Sequence, residues 1–221
     1  MHPFESVYAH VRSDSGGGIM GFLRRHWFDI GAGLAVVAAA WLAVTWSGMQ
    51  ELQRILWISL ITLFLHQFEE YRLPGGFPRM MNTAMFSSEM PDRYPLNANT
   101  AFIINVGMGW LIYLLAALFG ARVLWLGIAS VLVSVGNVMA HAVMFNVKGK
   151  TRYNPGMLTA ILLFLPVAVI FFTVLIASGV ASLLDWIGGV AFGAVLNVVG
   201  ILKLIDWLKD RNTKFVFKVP L

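Results

Sequence analysis

The chain has no cysteine and little charge: Asp, Glu, Lys and Arg make up 12% of its 221 residues, against roughly 25% in a soluble domain. Without cysteine, disulfides, thiolate metal sites and cysteine nucleophiles are excluded, and the redox compartment stays open. Scarce charge, 58% hydrophobic residues and a mean hydropathy of +0.75 imply an integral membrane protein built as a single bundle. No internal repeat is visible, so the inverted-repeat signature of many transporters is missing. The net charge of +5 would point to nucleic acid in a soluble protein. Here it reads as basic loops on the cytoplasmic side, and no nucleic-acid partner is expected.

What is present is a series of long apolar runs. A membrane-crossing helix needs about 20 apolar residues, and six runs qualify: 28–47, 53–70, 99–119, 121–145, 157–178 and 183–204. The expected fold is an all-α polytopic bundle of about six transmembrane helices. With the N-terminus inside, every Lys and Arg except Arg54 and Arg122 falls on that side, so both termini are expected in the cytoplasm, in a bacterial inner or plasma membrane. The third and fourth spans meet at Gly120-Ala121-Arg122 as a helical hairpin. Pro166 is expected to kink the fifth span, and Gly189 and Gly193 suit close packing of the sixth. The chain divides into a mobile N-terminus and interfacial anchor (1–27), the membrane domain (28–205) and a basic cytoplasmic tail (206–221). The polar start, ending Ser15-Gly16-Gly17-Gly18, is not expected to be a secretory signal.

The second run ends in His66-Gln67-Phe68-Glu69-Glu70. On a helix, residues three and four beyond His66 return to its face. Ionisable residues inside a membrane are costly and mark functional sites by default. The same topology puts His141 near the cytoplasmic end of the fourth span, with Asn137 one turn deeper. Asn105 and Asn197 fall at a similar depth. His66 and His141 are therefore expected to face one another across a helix interface, with imidazole nitrogens within about 5 Å, as ligands of one metal site.

In a metal site, His66, Glu69 and His141 would be ligands, with Glu70 as a further ligand or general base. Such a set suits zinc or non-haem iron. Adjacent glutamates point about 100° apart on a helix, which makes joint ligation demanding. Asn137, Asn105 and Asn197 would orient ligands or donate to a developing anion, and Tyr153 could donate to the site at the membrane edge; Glu70, Asn137 and Tyr153 are the catalytic candidates. A metal-bound water could attack an ester, amide or ether of a membrane lipid or amphipathic small molecule. Other chemistries stay open: a metal-free glutamate-based intramembrane hydrolase, haem held by the two histidines, or a proton-coupled carrier. Glu69 and Glu70 could also simply pair with Arg72, Arg79 or Arg152.

Two loops flank this region. Residues 72–98 contain four prolines and Gly75-Gly76, and between them Phe77, Met81, Met85 and Ser88 share a helical stripe; a short surface helix fits, as lid or as connector. The other loop ends Tyr153-Asn154-Pro155-Gly156, a rigid turn into the fifth span. His66-x-x-Glu69-Glu70, the later His141 and this Tyr-x-Pro-Gly turn, in that order, resemble the HXXEE-domain membrane proteins over roughly residues 53–178. The resemblance supports these positions as a site and carries no reaction with it.

Overall fold

A computed structural model describes residues 18–217, so the N-terminal stretch expected to be mobile lies outside the described residues up to residue 17. Among the described residues there is no strand. Six long helices follow one another: α1 (Ile19–Gly48), α2 (Glu51–Tyr71), α3 (Ala98–Phe119), α4 (Leu124–Gly149), α5 (Met157–Ser178) and α6 (Leu183–Trp207). All but α2 are long and apolar enough to cross a membrane. α2 is polar for a structural reason. It is the inner helix, packed against α1, α3, α4 and α5, with more than half its residues buried, among them His66, Gln67, Glu69 and Glu70. A helix that shows little surface to lipid needs no continuous apolar coat.

The first helix begins at Ile19 and not near residue 28. No breaker separates the anchor stretch from the apolar run, and Trp27 is buried with its ring 4.7 Å from that of Tyr71. Arg24, carried along in this first part of α1, donates to Asn99 Oδ1 at 2.7 Å. Helix ends are set by local side chains. Asn97 Oδ1 accepts from the backbone N–H groups of Asn99 and Thr100 at the start of α3. Ser182 and Asp185 form a capping box at α6. As expected for a small-xxx-small pair, α6 lies close on α4: a Cβ on Gly189 would stand 2.6 Å from Ile128 Cβ, and one on Gly193 2.9 Å from Leu132 Cβ.

Four of the helices contain π-helical turns: 103–110 in α3, 140–144 in α4, 160–164 in α5 and 198–203 in α6. The turn in α5 immediately precedes Pro166, whose missing N–H cannot close onto the previous turn. The distortion expected at this proline thus takes the form of a widened turn. Such turns concentrate at functional sites, and His141 and Asn105 both lie in one.

The loop after α2 does contain a short helix, Phe77–Met80, continued as a π turn, Met81–Met85. Fully buried Asn82 holds it: its Nδ2 donates to the carbonyls of Pro91 and Leu96, and its Oδ1 accepts from Leu96 N–H. The segment after α6 lies across the same loop, with backbone bonds from Ala98 N to Phe215 O and from Phe217 N to Asp92 O.

Candidate metal centre

α2 sets His66 and Glu70 one turn apart on its inner face, and the π turn of α4 brings His141 to them. Glu70 Oε1 lies 3.3 Å from His141 Nε2 and 3.6 Å from His66 Nε2. One ligand atom from each of the three residues lies within 4.8 Å of the others. The imidazole rings stand nearly perpendicular, with centroids 4.8 Å apart. All three residues are buried, at 5% exposure or less. Phe164 packs on His66, and Phe145 and Phe77 on His141, at ring-centroid distances of 4.9–5.5 Å, which keeps bulk water away from the imidazoles.

Hydrogen bonds on the far side of each ring fix its tautomer. Thr159 Oγ1 lies 2.9 Å from His66 Nδ1 and 2.5 Å from Glu69 Oε2. A hydroxyl has one proton to give. Whether Glu69 or the Gly156 carbonyl at 3.2 Å takes it, Nδ1 of His66 must be the donor to Thr159. His141 Nδ1 lies 2.6 Å from Asn154 Oδ1. The Asn154 amide is oriented by its nitrogen, which donates to His141 O and Asn146 Oδ1 at 2.8 Å each, so Oδ1 is the acceptor. Both imidazoles are therefore protonated on Nδ1, which leaves the unprotonated Nε2 of each beside Glu70 Oε1. His66 Nε2 is buried with no hydrogen-bond partner.

Glu69, expected among the ligands, is bound elsewhere. Its Oε1 accepts from Leu158 N–H at 3.1 Å and Tyr153 OH at 2.9 Å; its Oε2 accepts from Thr159 N–H at 2.8 Å and from the Thr159 hydroxyl. A carboxylate from α2 thus caps the N-terminus of α5, where free N–H groups and the helix dipole favour an anion. The 100° between adjacent helical positions separates the two glutamates: Glu70 turns to the histidines and Glu69 to α5. Neither takes an arginine partner in the way the ion-pair reading requires; Arg72 pairs with Asp29 at 3.2 Å.

Tyr153 is also placed differently from the expectation of a donor into the reacting site. It is 47% exposed and serves Glu69. Burial, then the hydrogen bond to the Glu69 carboxylate, pushes its phenol up to about 12. Asn137 lines the cavity beside the centre, with Nδ2 donating back to Val133 O. Asn105 bonds Gln67 and Tyr71, not a histidine, and Asn197 bonds the carbonyls of Leu132 and Gly193. The haem reading does not fit, because ring centroids at 4.8 Å with a carboxylate oxygen between them leave no plane for a macrocycle. Thr159 has no place among the candidates the sequence offers, and Asn154 and Gly156 enter there only as members of the turn. Gly156 has φ +96°, and a Cβ there would stand 2.5 Å from His141 Cε1 and 2.9 Å from Glu70 Cγ. The Tyr-Asn-Pro-Gly turn is the wall of the centre.

Two cavities meet at this centre. One, of about 80 Å³, is bounded by His66, Gln67, Glu70, Tyr71, Asn105, Asn137 and mostly apolar side chains. The other, of about 180 Å³, lies between α4 and α6 and reaches His141 and Asn137. Phe77 and Met81 from the loop helix border both.

Residues 57–171 match the family model described as a protein of unknown function with HXXEE motif. No curated protein and no solved structure matches the chain.

Proposed function

The chain belongs to the HXXEE family, and on that footing we propose that it is a membrane-embedded, metal-dependent enzyme acting on a lipid-like or amphipathic substrate. His66, Glu70 and His141 hold the metal, zinc or iron. The observation that carries this reading is the gathering of two imidazole Nε2 atoms and a carboxylate oxygen in one buried spot, with His66 Nε2 unpartnered. Three electron-rich atoms gathered in a low dielectric repel one another unless a cation sits among them.

The two contacts to Glu70 fit such a cation. Ligand atoms on a tetrahedral metal with bonds of about 2.0–2.1 Å are about 3.4 Å apart; the two contacts to Glu70 Oε1 measure 3.3 and 3.6 Å. Two histidines and one carboxylate are a ligand set that leaves a position open, as in catalytic and not structural zinc sites. A divalent ion there would supply Lewis acidity and ease deprotonation of water. The chain's own contributions are distinct. Thr159 and Asn154 orient the imidazoles and raise their basicity. The phenyl rings exclude water. Asn137 offers an amide at the cavity wall, and the apolar lining receives hydrocarbon. In this reading the centre opens towards the cytoplasm, in the half that holds the basic loops, in a bacterial inner or plasma membrane.

A proton-coupled carrier is the second reading, favoured by the 3.3 Å contact between Glu70 and His141, which a shared proton would also satisfy. Elemental analysis of the purified protein separates the two. The enzyme reading expects about one zinc or iron per chain, lost in His66→Ala. Wild-type protein purified without stoichiometric metal, and binding none when zinc or ferrous iron is added, contradicts it and favours the carrier.

A further inference from the structure

α4 and α6 touch closely along one half of their contact and part along the other. In the close half, Gly189 and Gly193 leave no room for a methyl group against Ile128 and Leu132. The close half ends where Asn197 packs on Gly136 and donates to Leu132 O. Beyond that point both helices turn π-helical, over 140–144 and 198–203. The 180 Å³ cavity occupies the gap so opened.

The rim and the depth of this gap differ in chemistry. At the rim stand Met144, Val198 and Leu202, at 37%, 51% and 47% exposure. They are apolar side chains in the last three turns of two helices able to cross a membrane, so they face the hydrocarbon near its edge. In the depth lie Phe145 and Met81, at 4% and 3% exposure, and then His141. The passage runs from lipid, through apolar walls, to the ligand cluster. An aqueous substrate would have no reason to take it, because a path lined in this way offers a solvated solute no replacement for its water.

We propose that the crevice between α4 and α6 is a lateral portal through which one hydrocarbon chain of a single-chain amphiphile, such as a fatty acid or its ester, enters from the bilayer and brings its polar end to the centre. This deepens the enzyme reading given above and rests on it for the centre's chemistry. The confinement to one chain follows from the shape. The gap is closed on one side by the Gly136–Asn197 contact and covered on another by Phe77 and Met81, so a second chain would have to part packed helices.

The test uses the full chain in phosphatidylcholine nanodiscs with palmitic acid carrying a mid-chain diazirine, and a diacyl phosphatidylcholine carrying the same group as comparison. After irradiation, adducts are mapped by peptide mass spectrometry. The portal predicts that the palmitate probe labels buried Phe145 and Met81 and the diacyl probe does not. Val198→Trp, and independently Leu202→Trp, should abolish that labelling while leaving adducts at lipid-facing Val169 and Ile170 unchanged. Labelling restricted to exposed positions, or equal in wild type and both tryptophan variants, or equal with both probes, overturns the portal. Metal content is measured on the same samples. Labelled Phe145 without bound metal would uphold the portal and overturn the metal reading; bound metal without that labelling would do the reverse.

Discussion

His66 gives its Nδ1 proton to Thr159 Oγ1 across 2.9 Å, and this one bond decides which ring nitrogen faces Glu70. Thr159→Val keeps the shape and removes the acceptor, leaving a buried N–H unpaired at a cost of about 1–3 kcal/mol. Outer partners of metal-bound histidines typically contribute 10–100-fold to affinity. Zinc affinity measured by chelator competition should therefore fall by about 10–100-fold in Thr159→Val and stay near wild type in Thr159→Ser. Equal affinity in all three proteins would show that Thr159 does not orient the ring.

Gly156 and Gly76 form a matched pair. Both have positive φ, +96° and +89°, so alanine at either costs on the order of 1–2 kcal/mol in backbone strain. Only at Gly156 would the added methyl also collide with His141 and Glu70; at Gly76 nothing lies within 4 Å. Both variants should melt at lower temperature, and only Gly156→Ala should lose metal. Metal retained in Gly156→Ala would contradict the role of the turn as a wall of the centre.

The pairing of His66 with His141 was legible because ionisable residues stand out in apolar runs and the topology fixes their depth. The division between Glu69 and Glu70 was not. Helical geometry says that adjacent carboxylates diverge, but which one meets α4 depends on how α2 is rotated in the bundle, and tertiary packing decides that. Thr159 carried no signal, since a threonine at the start of an apolar run reads as an ordinary capping residue, and Asn154 was legible only as a member of the turn. In retrospect, a free helix N-terminus directly after the Tyr-Asn-Pro-Gly turn is where a carboxylate with no cationic partner would go. The π turns have no composition signature, so the widened passage beside α6 could not be read from the apolar runs. The six runs themselves were legible, with the first helix starting earlier, at Ile19.

Tyr153 should titrate late. Its phenol stands at about 12 instead of the usual 10.0, through burial and its hydrogen bond to Glu69. Because the folded state favours the neutral phenol, this contact's stabilisation is complete below pH 10 and is lost as pH rises from 10 to about 12. Tyrosinate absorbance of wild type minus Tyr153→Phe should isolate one phenol titrating near 12. A midpoint near 10 would show that the bond to Glu69 is not made in the membrane-embedded protein.

The orientation is tested at the loop over the centre. The bias of basic residues predicts that residues 72–98 face the cytoplasm. A cysteine replacing Ser88, in a chain otherwise free of thiols, should be protected from a membrane-impermeant maleimide added to intact cells and should react once the cells are opened. Labelling in intact cells would invert the topology.

Most direct is the comparison of Glu69→Gln with Glu70→Gln by metal stoichiometry. Both changes remove one negative charge from neighbouring positions on the same helix, so any general electrostatic role would make them alike. Glu70→Gln should abolish bound metal. Glu69→Gln should keep it while lowering the melting temperature, since an amide in place of the carboxylate sets a donor against the N–H groups of Leu158 and Thr159. Metal retained by Glu70→Gln and lost by Glu69→Gln would contradict the assignment of the centre to His66, Glu70 and His141.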